Sequence, residues 1–239
     1  MGWKPPAQWF WIQTILPLLG GLSVLGSMAR RLPLQNLAAI GSLVLVLSAA
    51  ILACGAGSKV PFGPIVYEHN GSLMLFGKVP VVPALWWLAI LVSSRETARL
   101  ILRPWRRTRN YGFSLVGLAA LLAVVVNLSW EPFASRAQGL WHWETSAAAA
   151  GWYAVSWLNF LGWFVGGVLV LAFTTPWFIS KGPVHGAARL DPAVIWCALN
   201  LHFVVGNATA QLWLATIVGG GLTVAATWLA WRGSNQSAA

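Results

Sequence analysis

The chain has 239 residues, 58% of them hydrophobic and 8% charged, with a net charge of +10 and a mean hydropathy of +0.69. A soluble domain carries about 25% charged residues, so there is too little charge here to coat a water-facing surface. The basic residues stand between apolar segments rather than in one patch, which argues against a nucleic-acid partner and for a record of membrane topology.

A bilayer core is about 30 Å thick and takes roughly 20 apolar helical residues. In chain order that ruler predicts spans at Trp9–Met28, Leu34–Ala56, Val79–Ser93, Tyr111–Trp130, Trp152–Phe178, Pro192–Val205 and Gln211–Trp231. The first span is longer than the h-region of a signal peptide and Arg30-Arg31 follows it, so a retained helix is expected. The third is short and holds Pro80 and Pro83, so it is kinked or reaches Leu102. The 40 residues from Pro192 to Trp231 would extend about 60 Å as one helix. They must turn, and Gly206-Asn207-Ala208-Thr209 is the predicted place. The low-complexity run Ala147–Ala150 stands in a loop, and residues 233–239 read as a short disordered tail. The expected fold is all-α: a single membrane domain over residues 1–239, a polytopic integral helical bundle of about seven transmembrane helices in the cell membrane, with the lipid bilayer as partner.

Charge placement supports seven spans. With the N-terminus outside, the cytoplasmic segments hold Arg30, Arg31, Arg95, Arg99, Arg103, Arg106, Arg107, Arg109, Lys181, Arg189 and Arg232, eleven in all, while the outer ones hold four: Lys4, Lys59, Lys78 and Arg136.

Five carboxylates are candidates for chemistry: Glu68, Glu96, Glu131, Glu144 and Asp191. Glu96 stands among arginines and reads as a local ion-pair partner. Asp191 precedes Pro192 and reads as a helix cap. The other three fall on the outer side, in two aromatic segments. One is Pro61-Phe62-Gly63 through Tyr67-Glu68-His69; the other runs from Asn127 through Glu131-Pro132 to Trp141-His142-Trp143-Glu144. Irregular backbone near a membrane must be buried in protein or line a cavity. A carboxyl sheltered there loses hydration, which favours the neutral, proton-donating form. Carboxylates in water at the interface are the plainer alternative. Asn127 and Glu131, four apart, share a helix face, and an amide there serves either a site or an interhelix hydrogen bond.

His69, His142, His185 and His202 lack metal-ligand spacing, and Cys54 and Cys197 form no CxxC. No Walker loop, nucleophile elbow or dinucleotide fingerprint occurs, so no cofactor and no metal are expected. Most of the 17 tryptophans suit interfacial anchoring. The fifth span is denser than anchoring requires: Tyr153, Trp157, Phe160 and Phe164 are expected on one stripe and Trp152, Asn159 and Trp163 on another. These stripes serve either packing or a slot for a long apolar ligand.

The ordered set Pro61-Phe62-Gly63 to Tyr67, Gly77-Lys78-Val79-Pro80 with Pro83 and Trp86, Asn127 to Glu131-Pro132, Trp141-His142-Trp143, Tyr153, and Asn159-Phe160-Leu161-Gly162-Trp163 resembles the membrane carotenoid biosynthesis family. That family includes CruF-type carotenoid hydratases and bisanhydrobacterioruberin hydratase. The resemblance covers roughly residues 50–165. Departures are Asn127 and Glu131 where the family has Asp, a looser Tyr153-Ala154-Val155-Ser156, and the lack of an acidic residue between Gly41 and Lys59. The resemblance implies addition of water to the terminal 1,2 double bond of an acyclic carotenoid ψ-end, a long apolar polyene substrate. It casts Glu131 as the leading acid and Glu68 as the second acid–base candidate. His69, Tyr67 and Asn127 would position water; Phe62, Trp141, Trp143, Tyr153, Asn159 and Trp163 would line the polyene slot. Two alternatives are a non-catalytic carotenoid- or lipid-binding membrane protein and a small transporter, the latter without a midplane charge to mark its path.

Overall fold

The computed structural model describes residues 12–68, 73–75, 77–144, 151–179 and 189–236. His69, Lys4, Lys181, His185, the Ala147–Ala150 run, the Trp9–Trp11 start of the first span and the last three residues lie outside them.

Among the described residues seven α-helices form the expected bundle: α1 (Ile12–Met28), α2 (Leu34–Ser58), α3 (Val81–Ile101), α4 (Tyr111–Pro132), α5 (Trp157–Thr174), α6 (Asp191–Thr209) and α7 (Trp213–Asn235). Five of them, with the short turns that extend two, are long and apolar enough to cross a bilayer. The outward faces are apolar too: Leu22, Val46, Phe173, Ile217 and Val224 are all more than half exposed, a surface suited to lipid rather than water. The first helix packs on α3 and α6.

The third helix is the hub, touching α1, α2, α4, α6 and α7. Nearly every residue from Val82 to Leu100 is buried, including Ser93, Ser94, Arg95, Glu96 and Thr97. Its walls are protein rather than lipid, so a polar end is tolerated. This is why its apolar run is short although the helix reaches Ile101. Trp196 of α6 donates its indole N–H to Ser94 at 3.0 Å.

Three boundaries differ from the sequence expectation. The fifth helix begins at Trp157 rather than Trp152, because Gly151–Ser156 makes a turn closed by a Trp152–Val155 bridge. The turn between α6 and α7 falls at Ala210–Leu212, with Gln211 at φ 61°. Asn207 is therefore helical and buried, donating to the Ser129 carbonyl at 2.8 Å. Residues 233–235, assigned to the tail, instead continue α7, and a Cβ on Gly233 would lie 2.2 Å from the Leu100 carbonyl. That close approach holds the end of α7 against α3. Asp191, expected to cap α6, makes no capping bond. Its Oδ2 pairs with Arg189 Nε at 2.5 Å instead.

The two outer segments are tied by a ladder. Strand β1 (Ile65–Tyr67) pairs antiparallel with β4 (Trp141–Trp143), Tyr67 opposite Trp141 and Ile65 opposite Trp143. A second small pair joins β2 (Met74–Leu75) to β3 (Val79–Pro80) at the start of α3. Aromatic and β-branched residues favour strands, and pairing satisfies backbone groups that apolar surroundings would leave stranded.

Candidate active site

The ladder, the last turn of α4 and the first turn of α5 meet over one buried carboxyl. Glu131 is 2% exposed. Trp141 donates its indole N–H to Glu131 Oε2 at 3.1 Å, and Asn159 donates Nδ2–H to Oε1 at 2.9 Å. Trp143 brings a third indole N–H toward the same carboxyl without completing a hydrogen bond of ordinary geometry.

Local sequence explains each placement. Pro132 has no N–H, so the Leu128 carbonyl one turn back loses its helical donor. The indole of Trp152 supplies the replacement at 2.9 Å. The chain then leaves α4 through a π-helical turn, Phe133–Gln138, closed by Gly139 at φ 63°. Ser135 Oγ donates to the Glu131 carbonyl at 2.7 Å, and Leu140 N–H returns to the Ala134 carbonyl at 2.9 Å. This reversal carries Trp141 back over Glu131. At α5, Ser156 is the N-cap, its hydroxyl accepting from Leu158 N–H at 3.2 Å, which fixes Asn159 in the first turn facing α4.

Around the carboxyl stands an aromatic wall. Trp130 meets Trp141 and Trp163 edge to face, with centroids 5.4 and 5.2 Å apart, and Trp87 lies 4.5 Å from Trp163. Phe62 closes the wall against Trp87 at 6.0 Å. Its ring is clasped between two helices at glycines: a Cβ on Gly55 of α2 would lie 2.4 Å from it, and one on Gly162 of α5 2.7 Å. Leu52, Ile65, Tyr67 and Pro83 complete the lining of a cavity of about 10 Å³, roughly the space one water needs. A ligand larger than one water can enter only if these rings part.

Tyr67 packs edge-on against Trp141, centroids 5.8 Å apart. Burial first, and the Glu131 charge second, push its phenol above its ordinary range, so the hydroxyl keeps its proton at physiological pH.

The structure thus brings together Glu131, Tyr67, Phe62, Trp141, Asn159 and Trp163, with Trp143 at the edge. The others stand elsewhere. Glu68 is exposed at the rim, its Oε1 2.9 Å from Nδ1 of an equally exposed His142. Glu144 pairs in the open with Lys59 at 3.4 Å. Tyr153 is outside α5 and off the expected stripe; its hydroxyl accepts from Ala215 N–H at 3.1 Å, at the start of α7. Of that stripe Phe160 is buried, while Trp157 and Phe164 are exposed to the lipid side. Asn127 is fully buried one turn below Glu131, with no partner for Nδ2 or Oδ1 among the described residues. Trp87 and Trp130 line the pocket without having been singled out from sequence; Trp130 adjoins Glu131, but nothing in the third span separates Trp87 from an anchor.

A family model described as carotenoid biosynthesis protein matches residues 12–226. No curated protein and no solved structure matches the chain significantly.

Proposed function

Starting from the carotenoid biosynthesis protein family, to which this chain belongs, we propose that it hydrates the terminal 1,2 double bond of an acyclic carotenoid ψ-end to a tertiary alcohol. The observation that carries this reading is Glu131: a carboxyl, 2% exposed, fixed by two N–H donors within a wall of indoles. Each oxygen accepts one bond, which leaves a position from which a proton on the carboxyl can face the cavity.

The reaction balances with this one acid. Glu131 delivers a proton to C2 of the alkene, and the electron pair of the double bond forms the new C–H bond. The tertiary cation left at C1 is faced by the π-clouds of Trp87, Trp130, Trp141 and Trp163, which stabilise positive charge. One water, for which the cavity has room, adds to C1. Its spare proton returns to the Glu131 carboxylate, so the sum is alkene plus water. Glu68 lies outside this pocket and takes no step. Asn127, with an unpartnered amide one turn deeper, is the group placed to hold a reserve water. We place the protein in the cell membrane with its C-terminus in the cytoplasm.

Isotopes test the reaction in a lycopene-producing host. Heavy water should place one non-exchangeable deuterium at C2, and heavy-oxygen water should label the hydroxyl at C1. Oxygen arriving from dioxygen, or unchanged pigment with folded protein and several acyclic substrates offered, would refute it. A second reading, carotenoid or lipid binding without chemistry, is favoured by one feature: an apolar groove of about 400 Å³ between α6 and α7, lined by Val194, Leu201, Val224 and Trp228 among others.

A further inference from the structure

A second buried ionic cluster occupies the opposite end of the bundle. Glu96 is fully buried on α3. Arg95 Nη1 lies 2.6 Å from its Oε1, and Arg99 Nε and Arg31 Nη2 each lie 2.9 Å from its Oε2. The Arg95 side chain is 6% exposed, and its guanidinium stacks on Phe178 with Cζ 3.8 Å from the ring centroid.

One carboxylate faces three guanidiniums, so two positive charges are left over; the Arg99 side chain is 34% exposed and meets water, whereas Arg31 and Arg95 are largely withdrawn from it. No other acidic side chain can supply the difference. The chain has five: Glu131 is at the other end, Glu68 pairs with His142, Glu144 with Lys59 and Asp191 with Arg189. The donors are unfinished as well. Among the described residues the buried Nε atoms of Arg31 and Arg95 have no hydrogen-bond partner, and Arg31 Nη2, though close to Glu96, is not aligned with it. Buried charge without compensation is costly, and buried donors without acceptors call for an explanation. Topology alone does not provide one, because exposed arginines such as Arg106, Arg107 and Arg109 already serve that purpose.

We propose that this cluster is a binding site for a phosphate-bearing anion. Guanidinium forks match phosphate oxygens two at a time, and a phosphate would supply both the missing charge and the missing acceptors. Arg31 follows the end of α1, and Arg99 stands in the last turn of α3, just before the arginine-rich α3–α4 connection. That is the depth of lipid headgroups, and the exposed arginines beside it draw anions toward it. A phospholipid headgroup and free inorganic phosphate share the chemistry.

The test uses the full chain, delipidated in neutral detergent. Native mass spectrometry measures retention of phosphatidylglycerol against phosphatidylcholine. Thermal unfolding is followed with inorganic phosphate against chloride at equal ionic strength. The expected result is preferential retention of phosphatidylglycerol, or a Tm raised by phosphate, with affinity weakened roughly tenfold in Arg31→Gln and little changed in Arg107→Gln. A response to the lipid alone identifies the headgroup; a response to phosphate alone identifies the free anion. The proposal is overturned if neither ligand acts on the wild-type protein. It is also overturned if a folded Arg31→Gln binds as the wild type does, or if Arg107→Gln weakens binding equally. Should Arg31→Gln not fold, the wild-type titrations decide the matter alone.

Discussion

Replacing Glu131 by Gln separates the acid from its scaffold. Gln has the same shape but one accepting oxygen instead of two. The two donors that reach Glu131, Trp141 Nε1 at 3.1 Å and Asn159 Nδ2 at 2.9 Å, then compete for it. An indole can only donate, whereas an Asn amide can rotate and present its oxygen. The Gln oxygen should therefore turn to Trp141 and its NH₂ to Asn159, whose amide flips to accept. That arrangement keeps the indole bonded, so the loss of stability should stay at about 1 kcal/mol, the worth of one amide hydrogen bond; stranding the indole would cost about 1–3 kcal/mol. Proton transfer has no such substitute. Loss of a positioned general acid lowers turnover by about 10²–10⁴-fold. Pigment analysis in a lycopene-producing host gives the activity, and tryptophan fluorescence melting of the purified protein gives the stability. A folded Glu131→Gln protein with wild-type turnover would remove Glu131 from the mechanism.

Glu68→Gln should keep both activity and stability, the latter within ~1 kcal/mol, because its partner His142 is exposed and the pair is screened by water; loss of hydration would return Glu68 to the mechanism. Gly162→Ala should lower stability by about 1–3 kcal/mol and reduce activity, since the new methyl would meet the Phe62 ring at 2.7 Å. An unchanged Tm and rate would show that Phe62 yields freely. Reporters fused at Gly2 and Ala239 should sit on opposite sides of the membrane, and same-side signals would rule out an odd number of crossings.

The helices were legible because apolar length is a local property of the sequence. The hub role of α3 was not: its short apolar run with Arg95 and Glu96 reads as a marginal span, and only seven-helix packing makes every side of it interior. The aromatic surroundings pointed equally to Glu68, Glu131 and Glu144, and only the family resemblance singled out Glu131. Glu68 stands in similar surroundings and is exposed, because β1 alternates: Tyr67 faces inward against Trp141, and the next residue does not. The pairing of β1 with β4 joins residues 74 to 78 positions apart, Tyr67 with Trp141 and Ile65 with Trp143. No local pattern announces that pairing. Trp152 shows a different limit. It reads as one more aromatic of the fifth span, yet it serves the carbonyl that Pro132 leaves open on α4.

Among the described residues, every one lining the Glu131 cavity falls between Leu52 and Trp163. The first helix and the last two contribute none of them. As the chain emerges from the ribosome, the acid, its two donors and the ring wall are all delivered before α6 begins at Asp191. The pocket can then be assembled while synthesis continues, and the later helices arrive as a buttress, with Phe203 of α6 coming to rest against Trp86 at 4.7 Å. Changes in α6 and α7 would alter how firmly the pocket is held during biogenesis and leave its chemistry intact.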